Sequence, residues 1–93
     1  MTAQERADAV AAVVRAVPGV ADLHPGMFGE VGTYLPGRRV PGIRFGDDAI
    51  AVHITVREDA PVRETAAAVR AAVARDWPGV AVNVTVEDVV AHD

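Results

Sequence analysis

The sequence contains no cysteine, no lysine and no serine, and aromatic residues make up only 4% of it. Without cysteine, the chain has no disulfide, no thiolate metal ligand and no thiol nucleophile. Without serine, a hydroxyl nucleophile would have to be a threonine, and the threonines fall in predicted caps, strands or helix. Because alanine and valine replace large rings, we expect an interior of small side chains with little room for a buried ligand.

The length and charge of the chain restrict its class. The 93 residues suit one domain, spanning residues 1–93. No apolar run approaches the ~20 residues that a membrane helix needs, and Glu5 and Asp8 are unlike a signal peptide. A formal net charge of −4 argues against general affinity for nucleic acid. We therefore expect a soluble, intracellular protein.

A helix-ending motif occurs twice. Residues 12–21 and 72–81 are near-copies, and both contain Pro-Gly-Val-Ala. Proline followed by glycine ends a helix, and the residues that follow read as the start of a strand. The repeat therefore predicts two helix-into-strand units with a strand-rich segment between them.

Periodicity predicts both helices. Thr2 and Glu5 have the spacing of a capping box, and apolar residues then recur at three- and four-residue intervals as far as Val17. The second helix should begin near Asp59-Ala60-Pro61, where an acidic cap and an early proline are both compatible with a helix start. Its predicted apolar stripe consists of Val62, Ala66, Val69, Val73 and Trp77.

Alternation and turn residues predict the strands. The predicted strands cover residues 20–24, 31–35, 40–45, 50–56 and 80–87. Pro41 cannot donate to a sheet, so its strand should lie at an edge or contain a bulge. The predicted fold is α+β, a two-layer α/β sandwich with both helices on one face of a small mixed sheet. The other face would then be polar, either simply solvated or a flat docking surface. Its predicted residues are His53, Thr55, Arg57, Asn83, Thr85 and Glu87.

No catalytic, cofactor or metal site is predicted. His24, His53 and His92 lack the close spacing of metal ligands. The adjacent carboxylates at 47–48 and 58–59 fall at predicted turns or caps. The glycines of residues 26–32 precede a strand instead of opening a helix, which argues against a phosphate-binding loop. We therefore expect no enzymatic activity.

One hairpin gathers the scarce aromatic residues beside adjacent arginines. Tyrosine and arginine are enriched where binding energy concentrates at protein interfaces. The hairpin is either a partner-binding site or a purely structural turn with a basic tip. Its candidate partner-binding residues are Phe28, Tyr34, Leu35, Arg38 and Arg39.

The order of these segments resembles the alkaline shock protein family of envelope stress response proteins. The resemblance rests on Arg-Arg-Val-Pro-Gly-Ile-Arg at 38–44, Ile-Ala-Val-His-Ile-Thr-Val at 50–56 and Val-Asn-Val-Thr-Val-Glu-Asp-Val at 82–89. Residues 29–40 look particularly like the short actinobacterial members. The similarity extends from about residue 7 to residue 89, and it lies in core and turn residues, with no catalytic motif.

The resemblance implies a non-enzymatic structural or adaptor protein on the cytoplasmic side of the cell envelope. Such a protein would self-associate to an oligomer or bind an envelope-linked protein, including a membrane-anchored partner, without entering the membrane itself. The alternative is a small RNA- or ribosome-associated module using Arg38, Arg39 and Arg44. The predicted sheet face lacks the aromatic rings on which RNA bases stack, which makes nucleic acid the weaker hypothesis.

Overall fold

The computed structural model describes residues 1–91. Over this range the chain forms two helices and six strands. In chain order they are α1 (Ala3–Arg15), β1 (Val20–Leu23), β2 (Gly32–Leu35), β3 (Arg38–Pro41), β4 (Ile43–Phe45), β5 (Ala49–Arg57), α2 (Val62–Asp76) and β6 (Ala81–Val90). The predicted α+β class is confirmed: two helices pack on a mostly antiparallel four-stranded sheet, and β2 and β3 form a separate small hairpin.

Strand β5 is the centre of the four-stranded sheet. β6 runs parallel to it along one edge, from the pair Ala49–Ala81 to the pair Arg57–Val90. β4 and β1 run antiparallel along the other edge, opposite residues 50–52 and 54–56 respectively. Because β4 and β1 lie end to end on the same edge, β6 alone forms the opposite border of the sheet.

The single strand predicted over residues 40–45 is wrong, because the chain turns at Gly42 between β3 and β4. Gly42 has a φ of +79°, and its N–H donates to the Val31 carbonyl at 2.9 Å. A Cβ at this position would lie 2.8 Å from the His53 carbonyl oxygen, so glycine is required for the close approach. The break directly after Pro41 detaches the β2–β3 hairpin from the sheet.

The two helices begin differently. The predicted capping box of α1 is confirmed: the Thr2 hydroxyl accepts from the Glu5 N–H at 3.1 Å, and the Glu5 carboxylate accepts from the Thr2 N–H. The start predicted for α2 near residues 59–61 is correct, but its acidic cap is wrong, because Pro61 is the N-cap and supplies no side-chain hydrogen bond. Asp59 instead accepts from Arg57 at 3.3 Å.

The core lies between the helices and one face of the sheet. Helix α1 contributes four side chains to it, Ala7, Val10, Ala11 and Val14. Strand β5, at the centre of the sheet, contributes Ile50, Val52, Ile54 and Val56. Burying each valine or isoleucine contributes about 1.5–3 kcal/mol, so this cluster supplies most of the driving force. The predicted stripe of α2 is correct at Val69 and Val73 but wrong at Val62, which is 41% exposed, while Thr65 is buried in its place.

No helix within residues 1–91 combines the length and the apolar character needed to cross a membrane.

Candidate interaction surface

Three large side chains project from the loop and hairpin that follow β1. Met27 is 74% exposed, Phe28 is 93% exposed and Tyr34 is 73% exposed. We refer to these three residues as the Phe28 surface. Phe28 is the most exposed large hydrophobic side chain of residues 1–91, whereas the core buries most valines and isoleucines of the strands.

A tight turn presents Met27 and Phe28. Gly26 and Gly29 have φ values of +88° and +72°, and the Gly29 N–H donates to the Gly26 carbonyl at 3.1 Å. The two residues between these glycines therefore form the tip of the turn. Glycine at both ends permits the positive φ that other residues rarely adopt, so this geometry holds Met27 and Phe28 away from the body of the protein.

Glu30 fixes this turn from within the loop. Its carboxylate accepts a hydrogen bond from the Phe28 N–H at 2.9 Å. Hydrogen bonds from its own backbone N–H and from that of Phe28, with added attraction from Arg44 and His53, hold the pKa of Glu30 below its usual value. The carboxylate is therefore ionised at neutral pH, and it accepts the Phe28 N–H while the Phe28 side chain stays exposed.

Arg39 joins the loop to Tyr34. Its guanidinium donates to the carbonyls of Gly29 and Val31, the latter at 2.9 Å. The same group lies 5.2 Å from the centroid of the Tyr34 ring, within the range of a cation–π contact. One side chain thus links the loop that follows Met27 and Phe28 to the Tyr34 ring.

Arg38 attaches the hairpin to α1. Its guanidinium donates to the Asp8 carboxylate at 2.7 Å, and this hydrogen bond holds the pKa of Asp8 below its usual value. Leu35 packs on the core. Of the five predicted partner-binding residues, Phe28 and Tyr34 therefore face outward, whereas Leu35, Arg38 and Arg39 contact the protein itself. A direct role in partner binding stays a prediction for all five.

Sequence reasoning missed Met27. The sequence feature that indicates its exposure is the pair of glycines at 26 and 29, which have the spacing of a turn with two projecting central residues.

The polar sheet face contains a short histidine–glutamate contact. His53 Nδ1 lies 2.6 Å from Glu87 Oε2, and the two side chains are 20% and 16% exposed. Ile54 pairs with Val86 but Thr55 pairs with Asp88, so Glu87 is the extra residue of a β-bulge. The predicted polar face is correct for the exposed Asn83 and Thr85. It is wrong for Thr55, which is 9% exposed.

Metal-binding groups are dispersed along the chain. Within residues 1–91, no three histidine, aspartate or glutamate side chains are close enough to hold a metal ion together. His92, the third imidazole considered from the sequence, lies outside the described residues.

An open groove of about 420 Å³ runs between the end of α1 and α2. Its lining is mostly small and apolar, and Arg75 and Asp76 are its charged residues. The lining residues on the helices and their connection include Val13, Ala16, Val17, Pro18, Ala68 and Ala72. The groove is a shallow separation between two helices and lacks the convergent polar groups of a substrate pocket.

The arginines of the RNA hypothesis all contact their own chain. Arg38 pairs with Asp8, Arg39 bonds loop carbonyls, and the Arg44 guanidinium donates to the Glu30 carbonyl. Each of the three guanidinium groups therefore has a hydrogen-bond acceptor within the protein. The RNA hypothesis stays untested and gains no support from this arrangement.

Comparison with known proteins identifies a fold but no family. No family profile and no curated protein matches the chain. Among solved structures, the C-terminal domain of MamM in its copper form is similar, with a TM-score of 0.61 and 17% identity. The match covers 92% of this chain and 85% of that one. At this identity the likeness concerns the fold alone, and membership of the envelope stress response family stays a prediction.

Proposed function

We propose that this protein is a non-enzymatic structural or adaptor protein of the envelope stress response family, acting at the cytoplasmic side of the cell envelope. It works by self-association or by binding an envelope-linked protein partner. The observation that carries this proposal is the Phe28 surface, in which Phe28 is 93% exposed on a turn fixed by hydrogen bonds. The family assignment rests on the sequence resemblance at residues 29–44, 50–56 and 82–89.

The energetics favour a binding role for the Phe28 surface. Removing a side chain such as phenylalanine or methionine from water yields about 1.5–3 kcal/mol, before the entropic cost of association is subtracted. The contacts of Glu30 and Arg39 already order the loop and the hairpin. A partner therefore meets a preorganised surface and does not have to order it on binding.

Affinity capture from cells of the source organism tests the proposal. We expect the unmodified protein to retain a reproducible set of envelope-linked proteins, and Phe28→Ala with Tyr34→Ala to lose them. The matched control is Val62→Ala with Val89→Ala, which removes two exposed apolar side chains elsewhere. Equal capture by the unmodified protein and by both double variants would reject the Phe28 surface as the binding site.

A further inference from the structure

The outer edge of β6 is the longest open strand edge within residues 1–91. β6 has ten residues, and β5 is the strand that pairs with it. At about 3.3 Å per residue, the strand offers an edge of roughly 33 Å. An exposed edge of this kind presents backbone donors and acceptors that another strand can pair with.

The register with β5 identifies which groups point outward. The Ala81 N–H donates to the Asp48 carbonyl at 3.1 Å, so the backbone of Ala81 faces β5. Alternation along a strand then directs the backbone groups of Asn83 and Thr85 toward β5 as well. The N–H and C=O groups of Val82, Val84 and Val86 therefore face the open edge.

Features that usually block edge pairing are absent from this part of β6. Proteins protect open edges with proline, lysine, bulges or inward-pointing charges. Residues 81–86 contain no proline, glycine or charged residue, and the bulge occurs later, at Glu87. The unprotected stretch is therefore the one whose outward groups are Val82, Val84 and Val86.

We propose that β6 pairs antiparallel with β6 of a second copy of this chain, about a two-fold axis at Val84. Val84 then opposes Val84 of the second copy, Val82 opposes its Val86, and Val86 opposes its Val82. These three hydrogen-bonded pairs provide about six backbone hydrogen bonds and join the two sheets into one. This inference deepens the self-association named in the proposed function and rests on it.

Side-chain complementarity selects a second copy as the occupant. Around this axis Asn83 of one copy opposes Thr85 of the other, and these exposed polar side chains can hydrogen-bond. Glu87 opposes Ala81, so no acidic residue faces another across the axis. The edge is therefore self-complementary in both hydrogen bonding and charge.

Paired charge substitutions at the two exposed positions test this register. Asn83→Lys with Thr85→Lys places lysines directly opposite each other, and Asn83→Glu with Thr85→Glu does the same with glutamates. We expect each double variant alone to dimerise at least about tenfold more weakly than the unmodified protein. An equimolar mixture of the two variants should restore association as a mixed dimer, because each lysine then opposes a glutamate. Sedimentation velocity and native mass spectrometry measure these species.

Two comparisons make the outcome specific. Gln4→Lys with Ala12→Lys adds the same charge on exposed positions of α1 and should leave the dimer intact. Dimerisation that persists in both β6 variants, or a mixture that forms no mixed dimer, overturns the inference. Loss of the dimer in Phe28→Ala with Tyr34→Ala, but not in the β6 variants, moves self-association to the Phe28 surface and also overturns the inference. A protein that is monomeric at about 1 mM overturns both this inference and self-association, while the envelope-linked partner is judged separately by affinity capture.

Discussion

Gly19→Ala should destabilise the protein more than Gly79→Ala, although both glycines occupy the same position in the repeated Pro-Gly-Val-Ala motif. Gly19 and Gly79 have φ values of +95° and +85°, so both substitutions force alanine into an unfavourable backbone region. That strain costs roughly 1–2 kcal/mol at each position. The difference between the two sites comes from their surroundings.

Gly19 is packed, whereas Gly79 is open. A Cβ at residue 19 would lie 2.8 Å from the Ala60 Cβ and 2.8 Å from the Thr65 Oγ1, whereas one at residue 79 meets no atom within 4 Å. Thr65 is 4% exposed, and its hydroxyl donates to the Pro61 carbonyl at 2.7 Å, so it cannot move aside without losing that bond. Overpacking of this kind adds about 1–3 kcal/mol. We therefore expect a loss of about 1–2 kcal/mol for Gly79→Ala and about 2–5 kcal/mol for Gly19→Ala.

Urea unfolding at 25 °C, followed by circular dichroism, measures both free energies of unfolding. The dependence of the free energy of unfolding on urea concentration should be the same in all variants. This would show that the substitutions lower stability without changing the surface area that unfolding exposes. Gly19→Ala combined with Ala60→Gly should recover part of the loss, because it removes one of the two contacts. Equal destabilisation by the two single variants, within about 0.5 kcal/mol, would refute the packing difference.

Two further predictions concern α1 and the hairpin that contacts it. Asp8 should titrate below its ordinary pKa of 3.8 in an NMR titration, and Arg38→Gln should return it toward that value. Because the pKa of Asp8 is lower in the folded state, its carboxylate stabilises the fold above the unfolded-state pKa. This stabilisation is lost as the pH falls through the folded-state pKa. An unchanged Asp8 titration in Arg38→Gln would contradict the pairing. Thr2→Ala should lower the free energy of unfolding by about 1 kcal/mol, measured with urea, because it removes the α1 cap. Thr2→Ser keeps the hydroxyl and should lower it less. Equal losses in the two variants would show that the hydroxyl does not cap the helix.

Most elements of the fold could be predicted because their signals are local. The capping box at Thr2 and Glu5 and the repeated Pro-Gly pairs mark helix boundaries through the conformations that these residues allow. The alternation of large apolar residues at 50, 52 and 54 with Ala51 and His53 indicates one buried strand face. These patterns identify an element without requiring knowledge of its neighbours.

The errors concern features that depend on distant contacts. The break at Gly42 is set by its approach to His53 and Leu23, which no local pattern encodes. Val62 fits the α2 stripe by spacing, yet it lies in the first turn and extends beyond the part of the helix that covers the core. The bulge at Glu87 depends on the register between β5 and β6 and so could not be read from β6 alone.

Sequence predicted only part of the candidate site, because some of its side chains have distant partners. Aromatic residues are scarce, so Phe28 and Tyr34 were identifiable as candidate binding residues, and both are exposed. The side chains of Arg38 and Arg39 could not be assigned from sequence, because their partners are Asp8 on α1 and carbonyls of the preceding loop. Sequence thus located the hairpin but not the division between its outward and inward residues.

The central proposal is that this protein binds a protein partner through the Phe28 surface. The most direct test is photo-crosslinking in living cells, with a photoreactive phenylalanine analogue at residue 28 and, as the control, at the exposed Val62 on the first turn of α2. We predict discrete protein adducts from residue 28 and none of the same mass from residue 62. Identical adduct patterns at the two positions, or no adduct from residue 28, would contradict the claim.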